Sequence, residues 1–149
     1  MTTFLKNKKA TFNYEVLDKF EAGIVLHGFE VKSLKTARGG SLDGSHVSIR
    51  GGEAFLLGAH IPPYQPGNTQ KDYDSRRPRK LLLKAKELNE LIGIAKTKGL
   101  TLIPLSMYNA GRNVKVSLAV VRGKKKYDKR EAIKKRDVER DIAREYKVR

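Results

Sequence analysis

Arg76, Arg77, Arg79 and Lys80 stand nearly side by side, at the end of a long polar stretch and just before Leu81-Leu82-Leu83. A guanidinium is always charged, grips phosphate through two parallel N–H bonds and stacks on flat rings. Three arginines and a lysine on one connection, with Tyr64, Asn68 and Tyr73 beside them, favour a folded, phosphate-bearing partner such as RNA. The plainer alternative is a solvated charge run. A second cluster, Lys124-Lys125-Lys126-Tyr127-Asp128-Lys129-Arg130, again sets cations around an aromatic ring.

Residues fit for catalysis do not assemble in the same way. His27, His46 and His60 are far apart, with no paired spacing for a metal, and each reads as a structural or RNA-facing histidine. Glu30, Glu53, Asp72 and Asp74 fall in no acid-base motif, and there is no phosphate loop, dinucleotide fingerprint or nucleophile elbow. Binding rather than catalysis is expected, with no metal and no cofactor.

The elements that must position these cations are mostly short strands. Tyr14–Leu17 and Ala22–His27 suggest a hairpin across Asp18–Glu21, and Glu30–Lys35 a short helix with Val31 and Leu34 on one face. Gly51-Gly52, between His46–Arg50 and Glu53–Leu57, suits a tight turn in which both residues take positive φ. The stretch from Pro62 to Pro78 has no apolar period and reads as a long loop, and loops of that length in small domains are usually functional or disordered. Leu81-Leu82-Leu83 suits a buried strand. Lys84–Lys98 suits a helix, with Leu88, Leu91, Ile92 and Ala95 on one stripe and Gly99 at its end. Thr101–Leu105 and Val114–Val121 complete a strand pair in which Pro104 marks an edge or a bulge.

This pattern predicts a mainly β (α+β) protein: a small closed barrel of the oligonucleotide-binding type with one to three short helices, another small α+β domain being the alternative. A mobile arm is expected over residues 1–11, an RNA-binding body over 12–123 and a basic C-terminal tail over 124–149. In the tail Ile133, Val138, Ile142 and Tyr146 make an apolar stripe too thin to fold alone. Folding on a polyanion and permanent fraying are both open for it.

Charge points the same way. With 32 Lys/Arg against 16 Asp/Glu the chain carries +16, and 13 of the cations lie from Arg122 onward against 6 acids. Such an excess favours phosphate backbones through counterion release, although an anionic membrane would compete for a basic helix. No apolar run is long enough to span a bilayer. The lack of cysteine and of any signal-like start suits a cytoplasmic setting.

Five motifs then stand together: Gly28-Phe29-Glu30-Val31-Lys32-Ser33-Leu34, Gly52–Leu56 with His60-Ile61, Arg77-Pro78-Arg79-Lys80-Leu81-Leu82-Leu83, Lys98–Leu105 and Gly123–Arg130. In order and spacing they resemble the small protein B family, whose members bind transfer-messenger RNA in bacterial trans-translation. The resemblance runs from about Lys8 to the C-terminus.

It implies a monomer with an oligonucleotide-binding barrel that holds the tRNA-like domain of transfer-messenger RNA. With elongation factor Tu and GTP it would help deliver the alanyl-charged RNA to stalled ribosomes, filling the place of the missing anticodon stem in the decoding centre. By the same resemblance Glu30, Lys32, Ser33, Asn68, Arg77, Arg79 and Lys80 are expected to touch the tRNA-like domain. Lys124, Lys125, Lys126, Tyr127, Asp128, Lys129 and Arg130 are expected to meet the decoding centre, Tyr127 by stacking, with the rest of the tail helical in the empty mRNA channel. Two departures bear on loop shape. Gly44-Ser45-His46 stands where Asp-Ser-Tyr is common, and Ser75 where proline is usual. The competing expectation is a ribosome-associated β-barrel that binds rRNA.

Overall fold

Strict alternation of apolar residues near the C-terminal end of the body sets the framework. Val114, Val116, Leu118 and Val120 recur at every second position and are all buried, which commits one strand face to the core. The computed structural model describes residues 2–65, 67 and 71–123. Its strands are β1 (Thr2–Lys6), β2 (Tyr14–Ile24), β3 (His46–Arg50), β4 (Glu53–Leu57), β5 (Arg79–Leu82), β6 (Leu100–Ala110) and β7 (Asn113–Gly123). Its helices are α1 (Ala10–Asn13), α2 (Gly28–Lys35) and α3 (Ala85–Ala95).

All seven strands form one antiparallel sheet in the order β1-β6-β7-β2-β5-β4-β3. The expected mainly β, α+β class is found, but the sheet does not close into a barrel. β1 and β7 pair with the two edges of β6, although β1 covers only the Ser106–Asn109 part of its edge. β3 comes close to β6 and α3 but forms no ladder with β6, so it ends the sheet.

Leu56, Ile61, Leu91, Leu102, Met107 and Leu118 are fully buried between the curled sheet and α3. A smaller cluster of Ala10, Ile103, Ala119 and Val121 lies on the other face of β6 and β7, where α1 covers it. Cover on both faces explains why Leu118–Val121 are buried in succession instead of alternately.

Several local expectations change. Thr2–Lys6, placed in a mobile arm, is a strand paired with β6, and Leu5 reaches the core. Tyr14–Ile24 is one strand and not a hairpin. Its pairing with β7 jumps between Val16 and Asp18, so Leu17 bulges out and is exposed. No glycine or proline stands in Asp18–Glu21 to reverse the chain, and the 11-residue β7 offers a continuous partner. Pro104 sits at a bulge, as expected, but in an interior strand. Its missing N–H is absorbed where the register jumps between Pro104 and Ser106, while Asn7 donates from its side chain to the Pro104 carbonyl (2.9 Å) and from its backbone to that of Leu105 (2.8 Å).

The Gly51-Gly52 turn has φ of 57° and 74°, the left-handed pair that a two-residue hairpin requires. A second glycine position is set by close approach. At Gly40, with φ 121°, an added Cβ would lie 2.8 Å from the His60 carbonyl oxygen, whereas at Gly39, with φ 103°, nothing lies within 4 Å. Both substitutions to alanine strain the backbone, and only one also drives into it. In chemical denaturation Gly40→Ala should therefore cost more than Gly39→Ala, by about 1 kcal/mol or more.

Candidate nucleic-acid interface

The interface is built on α2, whose first turn begins at Gly28 after His27 in extended conformation. Glu30, in that turn, accepts a hydrogen bond from the His27 backbone N–H at 2.7 Å and so ties down the helix start. The inward face of α2 is not the apolar one expected. Its buried residues are Glu30, Ser33 and Leu34, and Val31 is only partly covered. A carboxylate therefore enters the interior, where it must find positive charge and donors.

Arg79 supplies both. It is the first residue of β5, where Arg79 and Leu81 are buried while Lys80 and Leu82 face outward. Its Nε and Nη2 donate to Glu30 Oε2 at 2.8 and 2.6 Å. Nη1 donates to the carbonyls of Ala59 (2.7 Å) and Arg77 (3.3 Å), and Nη2 also to that of Ser75 (2.9 Å). All five N–H groups are thus satisfied with no surface exposed. Arg77 Nη2 donates to the other carboxylate oxygen at 2.5 Å. The Tyr73 hydroxyl lies 2.9 Å from Glu30 Oε2 and 2.8 Å from the Ile61 carbonyl.

This network pins the two described ends of the connection between β4 and β5, at Ala59–Ile61 and Tyr73–Arg77, against α2. Ser41 and His60 exchange backbone hydrogen bonds of 3.0 and 2.8 Å beyond the helix C-terminus, and Arg38 lies over the Tyr64 ring at 5.4 Å. Tyr73 then packs edge-on against Phe29 near the helix N-terminus, with ring centroids 4.8 Å apart and planes at 86°. Ser75, where proline was expected, fits this path. Its hydroxyl meets His60 Nδ1 at 2.9 Å and its carbonyl accepts from the Ile61 N–H. In the other departure, Gly44 takes φ 74°, Ser45 donates to the Leu42 carbonyl and His46 begins β3.

Protonation follows from the contacts. Burial alone would raise the Glu30 carboxyl, but hydrogen bonds from Arg77, the His27 N–H and Arg79, with the charge of Arg79, outweigh it and hold the group at about 2. Burial, then the hydrogen bond and charge of Glu30, push Tyr73 up to about 12 against the opposing effect of Arg79. Burial lowers His60, helped by Arg76 and Arg79.

The expected contact residues accordingly separate. Glu30, Ser33 and Arg79 have no exposed surface; Glu30 and Arg79 are engaged with each other, and the buried Ser33 hydroxyl has no hydrogen-bond partner. Arg77 is 23 % exposed and largely engaged with Glu30. Lys32 is exposed on the outer side of α2, as are Lys35 and, just beyond, Arg38. Lys80 is exposed on the opposite side of β5 from Arg79 and pairs with Glu53 at 3.2 Å, away from the pinned loop. Asn68 and Lys124–Arg130 lie outside the described residues. His27 stacks on Phe29, an arrangement that sequence inspection missed, although the alternation of two rings around Gly28 was visible. Among the described residues no group of three or more His, Cys, Asp or Glu could hold a metal ion, and no helix is long and apolar enough to cross a membrane.

Fold and charge define a class: a basic antiparallel β protein whose cationic helix and pinned arginine loop suit a polyphosphate. Comparison with known proteins places it more closely. A family model described as SmpB protein matches residues 4–148. The SsrA-binding protein of Chloroflexus aggregans is 48% identical over 144 residues, covering 97% of this chain and 90% of that protein. That of Gloeothece citriformis is 50% identical over 141 residues, 95% and 90% of the two chains. A chain from the solved structure described as "tmRNA-SmpB: a journey to the center of the bacterial ribosome" is 42% identical with a TM-score of 0.66, covering 86% of this chain and 92% of that one. The chain belongs to the SmpB family.

The Glu30 network has a measurable signature. A carboxyl held at about 2 against its ordinary 4.5 contributes stability that is fully present above 4.5 and is lost as pH falls toward 2. Glu30→Gln should abolish that pH dependence in acid titration followed by circular dichroism. It should also lower stability at neutral pH by about 3–5 kcal/mol, because the Arg79 charge is left buried without its counter-ion.

Proposed function

We propose that this protein binds the tRNA-like domain of transfer-messenger RNA and brings that RNA to stalled ribosomes for trans-translation. The observation that carries the reading is the family match over residues 4–148, which takes in the body and the basic tail together. Relatives that share about half of their residues with this chain bear the name SsrA-binding protein, and the structural relative is described as tmRNA-SmpB in the bacterial ribosome. The net charge of +16 suits a polyphosphate partner.

Within this proposal Lys32 and the exposed part of Arg77 meet the phosphates of the tRNA-like domain. Glu30, Ser33 and Arg79 hold the helix and loop that present them. Asn68 and Lys80 complete the body's contact. The tail, through Lys124–Arg130, reads the decoding centre and the empty mRNA channel, so that protein and RNA together imitate one tRNA. Delivery proceeds with elongation factor Tu, the protein acts as a monomer in the cytoplasm, and it contributes shape and charge while the ribosome transfers the peptide.

Capture of RNA from a lysate on the tagged protein tests the whole. Enrichment of transfer-messenger RNA is expected, and recovery of rRNA alone would overturn the proposal. Truncation after Gly123 should keep affinity for the tRNA-like domain within a few-fold while abolishing tagging in a reconstituted translation reaction. Equal loss of both would defeat the assignment of tail and body. Lys32→Ala should weaken binding and lower the slope of log affinity against log salt by about 1, the change expected for one phosphate contact.

A further inference from the structure

Resting on the RNA-binding reading, a more specific contact can be derived from the two rings at the start of α2. The His27 and Phe29 ring centroids lie 5.3 Å apart with their planes only 21° apart, an offset stack. His27 is exposed and Phe29 partly so. We propose that this pair is a stacking platform for one unpaired base of the bound RNA.

Three features support it. First, the platform is rigid. Tyr73 meets Phe29 edge-on, and the Tyr73 hydroxyl is held between Glu30, the Ile61 carbonyl and Arg79 Nη2. A base settling on fixed rings loses little to ordering the protein. Second, although the His27 side chain takes part in the capping box at the start of α2, the Glu30 carboxylate holds that helix start without the ring. The contact that ties Glu30 to the helix start is the His27 backbone N–H, which almost any residue supplies. Third, phosphate recognition lies beside it. Lys32 is exposed three residues after Phe29 and so shares its side of the helix, and Arg77 is partly exposed on the adjoining loop. A flat stacked ring pair flanked by cations is the combination that binds an unstacked nucleotide by base and backbone together.

The test measures affinity of the full chain for the isolated tRNA-like domain of transfer-messenger RNA, at fixed salt, for the parent, His27→Ala and His27→Tyr. Loss of one stacked base should weaken His27→Ala by about tenfold. His27→Tyr keeps a flat ring and should stay within about twofold of the parent. Chemical probing should show one unpaired base protected by the parent and by His27→Tyr but reactive with His27→Ala. Unchanged affinity of His27→Ala, equal damage in both variants, or a reactivity pattern the same for all three overturns the platform. Absence of binding by the parent itself would instead dismiss the RNA-binding reading on which it rests.

Discussion

An ionised carboxylate or guanidinium taken out of water loses several kcal/mol of hydration, and Glu30 and Arg79 are both buried without exposed surface. They tolerate this because each answers the other and every remaining donor of Arg79 finds an oxygen. Those oxygens come from Glu30 on α2, from Ala59 just after β4, and from Ser75 and Arg77 on the approach to β5. Satisfying one buried guanidinium therefore fixes both described ends of a long polar connection that has no apolar stripe to hold them. Such a network confers little net stability over a well-packed apolar core, but it admits few alternatives, and a loop ordered by it keeps one shape.

That arrangement divides the basic loop by function. A residue cannot both satisfy the interior and remain open to solvent, and the alternation of β5 sends Arg79 inward and Lys80 outward. Adjacent cations in the chain thus end in different surroundings, one a structural counter-ion and the other on the outer sheet surface beside Glu53. Ser75 belongs to the same economy of contacts. Its hydroxyl and carbonyl are both engaged, with His60 and with Arg79 and the Ile61 N–H.

Legibility in the sequence followed the range of the interactions. The Gly51-Gly52 hairpin, the helix before Gly99 and the alternation of Val114–Val120 depend on neighbours a few residues apart, and each was visible. Sheet closure was not, since it depends on whether β3 forms a ladder with a strand far from it in sequence, and the Thr2–Lys6 strand that pairs with Ser106–Asn109 has no marked alternation to announce it. Charge identified the basic loop but not its division, because burial of Arg79 depends on a carboxylate 49 residues earlier. Glu30 itself falls in no acid-base motif, and nothing near it in the chain marks it as buried. The motif resemblance named Glu30 and Arg79 together, and only geometry showed that they pair and separated buried residues from exposed ones.

The bulged strand β2 also sets a scale. At one end Tyr14 pairs with Gly123, the last described residue before the basic tail, and at the other Ile24 is followed within a few residues by α2. Eleven extended residues, stiffened by β7 along nearly their whole length, span roughly 30 Å. Gly123, where the tail begins, and the cationic helix α2 are thereby fixed at opposite ends of a rod. The separation between the two is written into the sheet, which sets a fixed distance between the start of the tail and α2.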